Sequence, residues 1–293
     1  MISRIGDKNG TAEIAVVFIH GLGGSKETWK DFTIALNKKW TKFTPVDLLY
    51  VVYTPEDKKS FVGKTIFKSP DIYRLSNFLK NYLDEAGKSY SYVLLVGHSM
   101  GGLIARRYVV DNMDNENFNV TDLLTYATPH KGSVIPFYIL LVLLSLPFTY
   151  LFINCSWITF FKMLGLDFIF ILVTYLFSNP QVRQLALKSR FITKLNEDWT
   201  KKKAFNKVLF YTITAGMDWI VKLDSSNHYD DDVTLHEDAG KSHSTILKPV
   251  DLTDYSLCKL YNTIEERIAV ILADEISDEE DIETEDIDDS PIF

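Results

Sequence analysis

The stretch SYVLLVGHSMGG, residues 91–102, sets how the rest of the chain is read. Its first six residues are an apolar run of strand length, and LIARRYVVDNM from Leu103 continues as a helix. Between them lies Gly97-His98-Ser99-Met100-Gly101, a G-x-S-x-G pattern at a strand-to-helix turn. A serine on so sharp a turn has a strained backbone, and the residues two before and two after it must be small for the chains to pass. Its hydroxyl then stands at the N-terminal end of a helix, where unpaired N–H groups and the dipole favour developing negative charge. Ser99 is therefore the candidate nucleophile.

Working outward, the same alternation recurs. EIAVVFI (13–19) reads as a buried strand ending in His20-Gly21-Leu22-Gly23-Gly24-Ser25, followed by a helix over 26–39 that Ser25 caps. VDLLYVVY (46–53) is a second strand, and Ser69-Pro70-Asp71 opens a helix that Gly87 ends. TDLLTYA (121–127) is a further strand ending in TPHKGS, and KVLFYTIT (207–214) another ending in AGMD. A last helix spans about 251–273, beyond Pro249. Nearly continuous apolar strands alternating with helices predict a mostly parallel sheet flanked by helices on both faces, an α/β fold. Ligands in such sheets bind beyond the C-terminal strand ends, where these polar motifs converge.

Length and composition agree with one large domain: 293 residues, 46% hydrophobic and 24% charged. The formal charge of −8 belongs to the end of the chain, because 274–293 holds eleven Asp or Glu and no Lys or Arg; the remainder has 28 acidic against 31 basic residues. That body offers no strong basic field, so nucleic acid is not an expected partner. Two cysteines, Cys155 and Cys258, make neither a disulfide framework nor a zinc site, and fit a reducing compartment. No metal or organic cofactor is indicated. The N-terminus lacks the pattern of a secretory signal, and a cytoplasmic or membrane-associated protein is expected.

One segment departs from the pattern. Residues 133–179 carry only two charges in 47 positions, Lys162 and Asp167, and hold 8 of the 19 phenylalanines. They read as an apolar helical lid inserted between a first core part (1–132) and a second (180–273). The lid is either a buried cap on the sheet or a membrane-facing hairpin. The stretches 134–153 and 157–177 each approach the ~20 residues of a spanning helix, although Pro136 and Pro147 argue against a straight one. Membrane contact through 133–179 is the favoured expectation, since a body of this size has little spare surface to hide two all-round apolar helices. The chain must leave and return on the same side of the sheet. The carboxylate-rich 274–293 is expected to be a disordered acidic tail.

HGLGGS paired with GHSMGG about 75 residues later resembles the α/β-hydrolase fold. FIHGLGGSKETW, VGHSMGG, YATPHKGS, QVRQLALKSRFITKLN, AGMDWIV and SHSTILKP together resemble the lipase-like serine esterases related to glycosylphosphatidylinositol inositol-deacylases, over about 13–250. The resemblance implies backbone N–H groups of Leu22 and Met100 as an oxyanion hole, with His20 shaping the loop. It also implies an order of Ser99, acid, histidine, with Asp218 the matched acid and His243 the matched base. Asp224 is the next acid candidate, and His228 and His236 are rival bases within an acidic loop. His98 and His130 are expected to be structural, and the Met100 side chain a pocket wall. The expected activity is hydrolysis of carboxylic esters of lipid or other apolar acyl substrates through a Ser-Asp-His triad. An acyltransferase or thioesterase using the same triad, or a non-catalytic membrane scaffold, is the alternative.

Overall fold

The apolar runs lie side by side in the computed structural model, which describes residues 4–5, 12–40, 45–53, 70–86, 89–134, 179–226 and 234–285. The strands are β1 (Arg4–Ile5), β2 (Ile14–Ile19), β3 (Val46–Val51), β4 (Tyr92–His98), β5 (Val120–Tyr126), β6 (Leu209–Ala215) and β7 (Thr234–Asp238). They form one seven-stranded sheet in the order β1-β3-β2-β4-β5-β6-β7. Only β1 runs antiparallel to its neighbour. The helices are α1 (Lys30–Lys39, after a 3-10 turn at Lys26–Trp29), α2 (Ile72–Ala86), α3 (Met100–Asn112), α4 (Pro180–Leu185), α5 (Arg190–Lys201), α6 (Leu223–Ser226) and α7 (Tyr255–Glu285).

Two apolar layers explain why the strands read as unbroken hydrophobic runs. Ile14, Val16 and Phe18 of β2 pack with Phe32 and Leu36 of α1 and Leu257, Leu260 and Ile264 of α7. Ala15, Val17 and Ile19 pack instead with Leu75 and Leu79 of α2, Leu103 and Ile104 of α3, and Leu195 of α5. Alternate side chains enter opposite layers, and burial of each Val, Leu or Ile contributes about 1.5–3 kcal/mol. α7 is further fastened to β5 by a two-pronged ion pair in which Arg267 Nε and Nη2 donate to buried Asp122 at 2.9 and 3.0 Å.

This topology positions the site. The chain steps from β2 to β3 on one side and then crosses to β4 on the other, so a crevice opens beyond the C-terminal ends of β2 and β4. HGLGGS follows β2, and Ser99 follows β4.

Several expectations are corrected. β7 was not expected, and it removes His236 from the expected loop by pairing it with Ile213. The helices α4 and α5 also join the framework unforeseen. The last helix does not stop near 273 but runs to Glu285, so 274–285 is helical; 286–293 lie outside the described residues. An established helix extends without a new nucleation cost, and glutamate is a good helix former. The lid is largely beyond description, since 135–178 lie outside the described residues. Ser133 N–H donates to the Leu185 carbonyl at 2.8 Å, and Leu187 N–H to the Ser133 carbonyl at 3.0 Å, which ties the first described residues of this segment to the end of α4 and the chain that follows it. Among the described residues, no helix is long and apolar enough to cross a membrane.

Candidate active site

Ser99 adopts φ 53° and ψ −121°, a region L-residues avoid, between the end of β4 and the start of α3. Its N–H donates to the Tyr126 carbonyl on β5 at 2.9 Å, which fixes the turn to the sheet. The flanking glycines are required by close backbone approach. A Cβ at Gly97 would lie 2.5 Å from Gly102 Cα, and one at Gly101 only 2.2 Å from the Ile19 carbonyl oxygen on β2.

The candidate acid lies in the loop after β6. Asp218 Oδ1 accepts N–H bonds from Ile220 at 2.8 Å and Val221 at 2.9 Å, leaving Oδ2 to face His243 Nδ1 at 2.7 Å. The carboxylate is almost fully enclosed, its side chain 2% exposed. The pairing assigns the His243 proton to Nδ1 and leaves Nε2 as acceptor, the tautomer a general base needs.

His243 sits in a loop tied down from several sides. Met217 N–H donates to the Lys241 carbonyl at 2.9 Å, Ser242 N–H to Thr245 Oγ1 at 2.7 Å, and the Lys241 ammonium to Asp254 at 2.9 Å. His98 Nε2 lies 2.9 Å from the His243 carbonyl oxygen. Burial, and next the neighbouring His243, push the His98 pKa down to about 3, so this ring is neutral and donates from Nε2.

Ser99 and His243 line the same cavity, of about 340 Å³, with Gly21, Leu22, His98 and Leu247 among its walls. The loop after β2 is held by His20, which donates from Nδ1 to the Gly21 carbonyl at 2.8 Å and stacks on Tyr53 at 4.0 Å. The Tyr53 hydroxyl donates to the His20 carbonyl. Burial lowers the His20 pKa and keeps the ring neutral. Leu22 borders the cavity, whereas the Met100 side chain, expected as a pocket wall, is fully buried with α3 in the core. A larger cavity of about 540 Å³, between α2 and the turn after α3, is lined by Lys80, Asp84, Tyr108 and neighbours but by no serine or histidine.

The rivals are elsewhere. Asp224 lies on α6 and pairs with Lys131 at 2.7 Å, its side chain 83% exposed. His236 is on β7, and His228 lies outside the described residues. His130 is fully buried, accepting from Arg106 Nη1 at 3.1 Å and bonding Thr125 at 3.3 Å, a structural placement. Among the described residues, no group of three or more His, Cys, Asp or Glu is arranged to hold a metal ion. What sequence reasoning missed is the reach of His98. Its partner is 145 residues away, and nothing local announces that contact.

Residues 10–144 match the family model described as a PGAP1-like alpha/beta domain. Triacylglycerol lipase 2 of Saccharomyces cerevisiae is 44% identical over 45 residues, 15% of this chain and 14% of that relative's length. In shape, the chain is similar to a lipase-esterase related protein from Clostridium acetobutylicum (TM-score 0.53, 14% identity, 91% of this chain and 98% of that one). It is also similar to a carboxylesterase structure from Nitrososphaera gargenis (TM-score 0.55, 14% identity, 94% and 95%). Sheet order and the strained serine agree with these likenesses: the chain has the α/β-hydrolase fold, and within it residues 10–144 match the PGAP1-like alpha/beta domain.

Proposed function

We propose that the protein is a serine hydrolase that cleaves carboxylic esters of lipid or other apolar acyl substrates. The observation that carries this is the pairing of His243 with Asp218 at 2.7 Å, with His243 and Ser99 lining one cavity. His243 Nε2 takes the Ser99 proton as Oγ bonds to the ester carbonyl carbon. The displaced π electrons become an oxyanion, received by the N–H groups of Leu22 and Met100. On collapse the alkoxide leaves and takes the proton from His243, giving an acyl-enzyme; water, deprotonated in turn by His243, then releases the acid. Asp218 orients the imidazole and stabilises its cation.

We also propose that 133–179 contacts the membrane and that the protein works in the cytoplasm or on its membranes. The support is the charge-poor sequence and its root: Ser133 Oγ donates to the Ile220 carbonyl, two residues past Asp218, at 2.8 Å. The test is a panel of p-nitrophenyl esters from butyrate to palmitate, with and without phospholipid vesicles and with Ser99→Ala as control. Activity should rise with chain length and with vesicles present. Preference for the shortest ester and indifference to vesicles would overturn the apolar assignment.

A further inference from the structure

We propose that His98 is a positioning residue, which holds the base His243 to the nucleophile turn through a neutral Nε2–H bond to the His243 carbonyl. This rests on Ser99 and His243 acting as nucleophile and base.

His98 is the residue immediately before Ser99, at the end of β4, so its backbone belongs to the turn that presents the serine. Its side chain reaches two other parts of the site. Nε2 lies 2.9 Å from the His243 carbonyl oxygen, and the two rings lie 4.8 Å apart at 51°. On its other edge, Nδ1 would be 3.4 Å from a Cβ placed on Gly21, the start of the loop that carries Leu22. One ring thus spans the elbow, the glycine loop and the base-bearing loop. Trp29 stands edge-on to it at 6.4 Å, behind the bridge.

The chemistry demands that the bridge stay neutral. A carbonyl oxygen only accepts, so Nε2 must carry the proton. A cationic His98 would face the imidazolium that His243 becomes whenever it takes the serine proton, and burial disfavours that charge. The charged and titratable groups around it are His243, Asp218 and His20; Asp218 and the bond to the His243 carbonyl favour protonation, but burial and the two histidines outweigh them. Met217 and Ser242 fix the flanks of the His243 loop, but His98 is the contact that ties the loop's own histidine to the nucleophile strand. A side chain that sets the separation of base and nucleophile is felt in the rate, since a misplacement of about 1 Å can cost roughly 10²-fold.

The test uses three substitutions in the full chain. In Gln the amide nitrogen stands the same number of bonds from Cα as Nε2, in Asn it matches Nδ1, and Leu donates nothing. His98→Leu and His98→Asn should lower kcat about tenfold to a hundredfold with KM within about twofold, and slow fluorophosphonate labelling of Ser99 in parallel. His98→Gln should recover most of both. Melting temperatures identify any variant that has lost its fold. Independently of activity, long-range 1H–15N spectra of the histidines should show His98 as a neutral Nε2–H tautomer with a protected proton. Equal rates for the Gln, Asn and Leu variants, or an unprotected Nε2–H in a wild type whose Ser99 labels normally, would overturn the positioning role and leave the nucleophile assignment standing. Failure of Ser99 itself to label would overturn both together.

Discussion

The two halves of the site are held by different physics. Around Ser99 the backbone does the holding: a positive φ, glycines at Gly97 and Gly101 that admit no Cβ, and an N–H bonded across to β5. Around Asp218 and His243 side chains and loop turns hold the geometry: two N–H bonds into Asp218 Oδ1, the Ser242–Thr245 contacts and the Lys241–Asp254 ion pair. Backbone crowding leaves a spaced pattern in sequence because only glycine satisfies it. Hydrogen-bonded loops can be built from many residues and leave little pattern.

The comparison breaks most sharply if the loop-built half proves dispensable. Asp218→Asn and His243→Ala should each lower kcat by roughly 10³-fold or more, and the double variant should cost little beyond the worse single one, because the members act as a unit. Ester kinetics on folded protein decide this; a multiplicative loss in the double variant would separate the two residues. Next in size is the contrast in stability. Gly101→Ala drives a Cβ to within 2.2 Å of the Ile19 carbonyl oxygen and should cost about 1–3 kcal/mol or more in denaturant unfolding. Ser242→Ala, in the loop-built half, should cost only about 1 kcal/mol. Equal costs would remove the distinction.

A smaller effect concerns acid. His98 has its pKa depressed from 6.5 to about 3 in the folded protein, so below pH 6.5 the unfolded chain binds a proton that the folded one refuses. Its contribution to stability is whole above pH 6.5 and is lost as pH falls towards 3, roughly 2 kcal/mol by pH 5. His20 acts in the same direction. Unfolding free energies at pH 7 and 5 should therefore differ less in His98→Gln than in wild type. An unchanged difference would contradict a neutral, buried His98.

The same division explains what the sequence made legible. The central strands were readable because both faces are buried, which writes them as apolar runs such as IAVVFI and YVLLV. The sheet edges were not: β1 is two residues long, and β7, TLHED, carries charge and pairs on one side only. The extension of α7 was missed because its carboxylates read as a solvated tail, while its helicity continues from a segment packed on the sheet. Within the site, Gly97 to Gly101 identified the elbow directly. Choosing His243 over His236 and Asp218 over Asp224 needed the resemblance in AGMDWIV and SHSTILKP, since no local spacing separates a base from a nearby histidine. Met100 was misread because the elbow motif fixes where its backbone lies but not which way its side chain packs.

The most direct test of the nucleophile is mass-spectrometric mapping of a fluorophosphonate adduct on the full chain. A single residue, Ser99, should be modified, with labelling lost in Ser99→Ala and slowed in both Asp218→Asn and His243→Ala. An adduct on any other residue, or labelling that persists undiminished in Ser99→Ala, would contradict the assignment of Ser99.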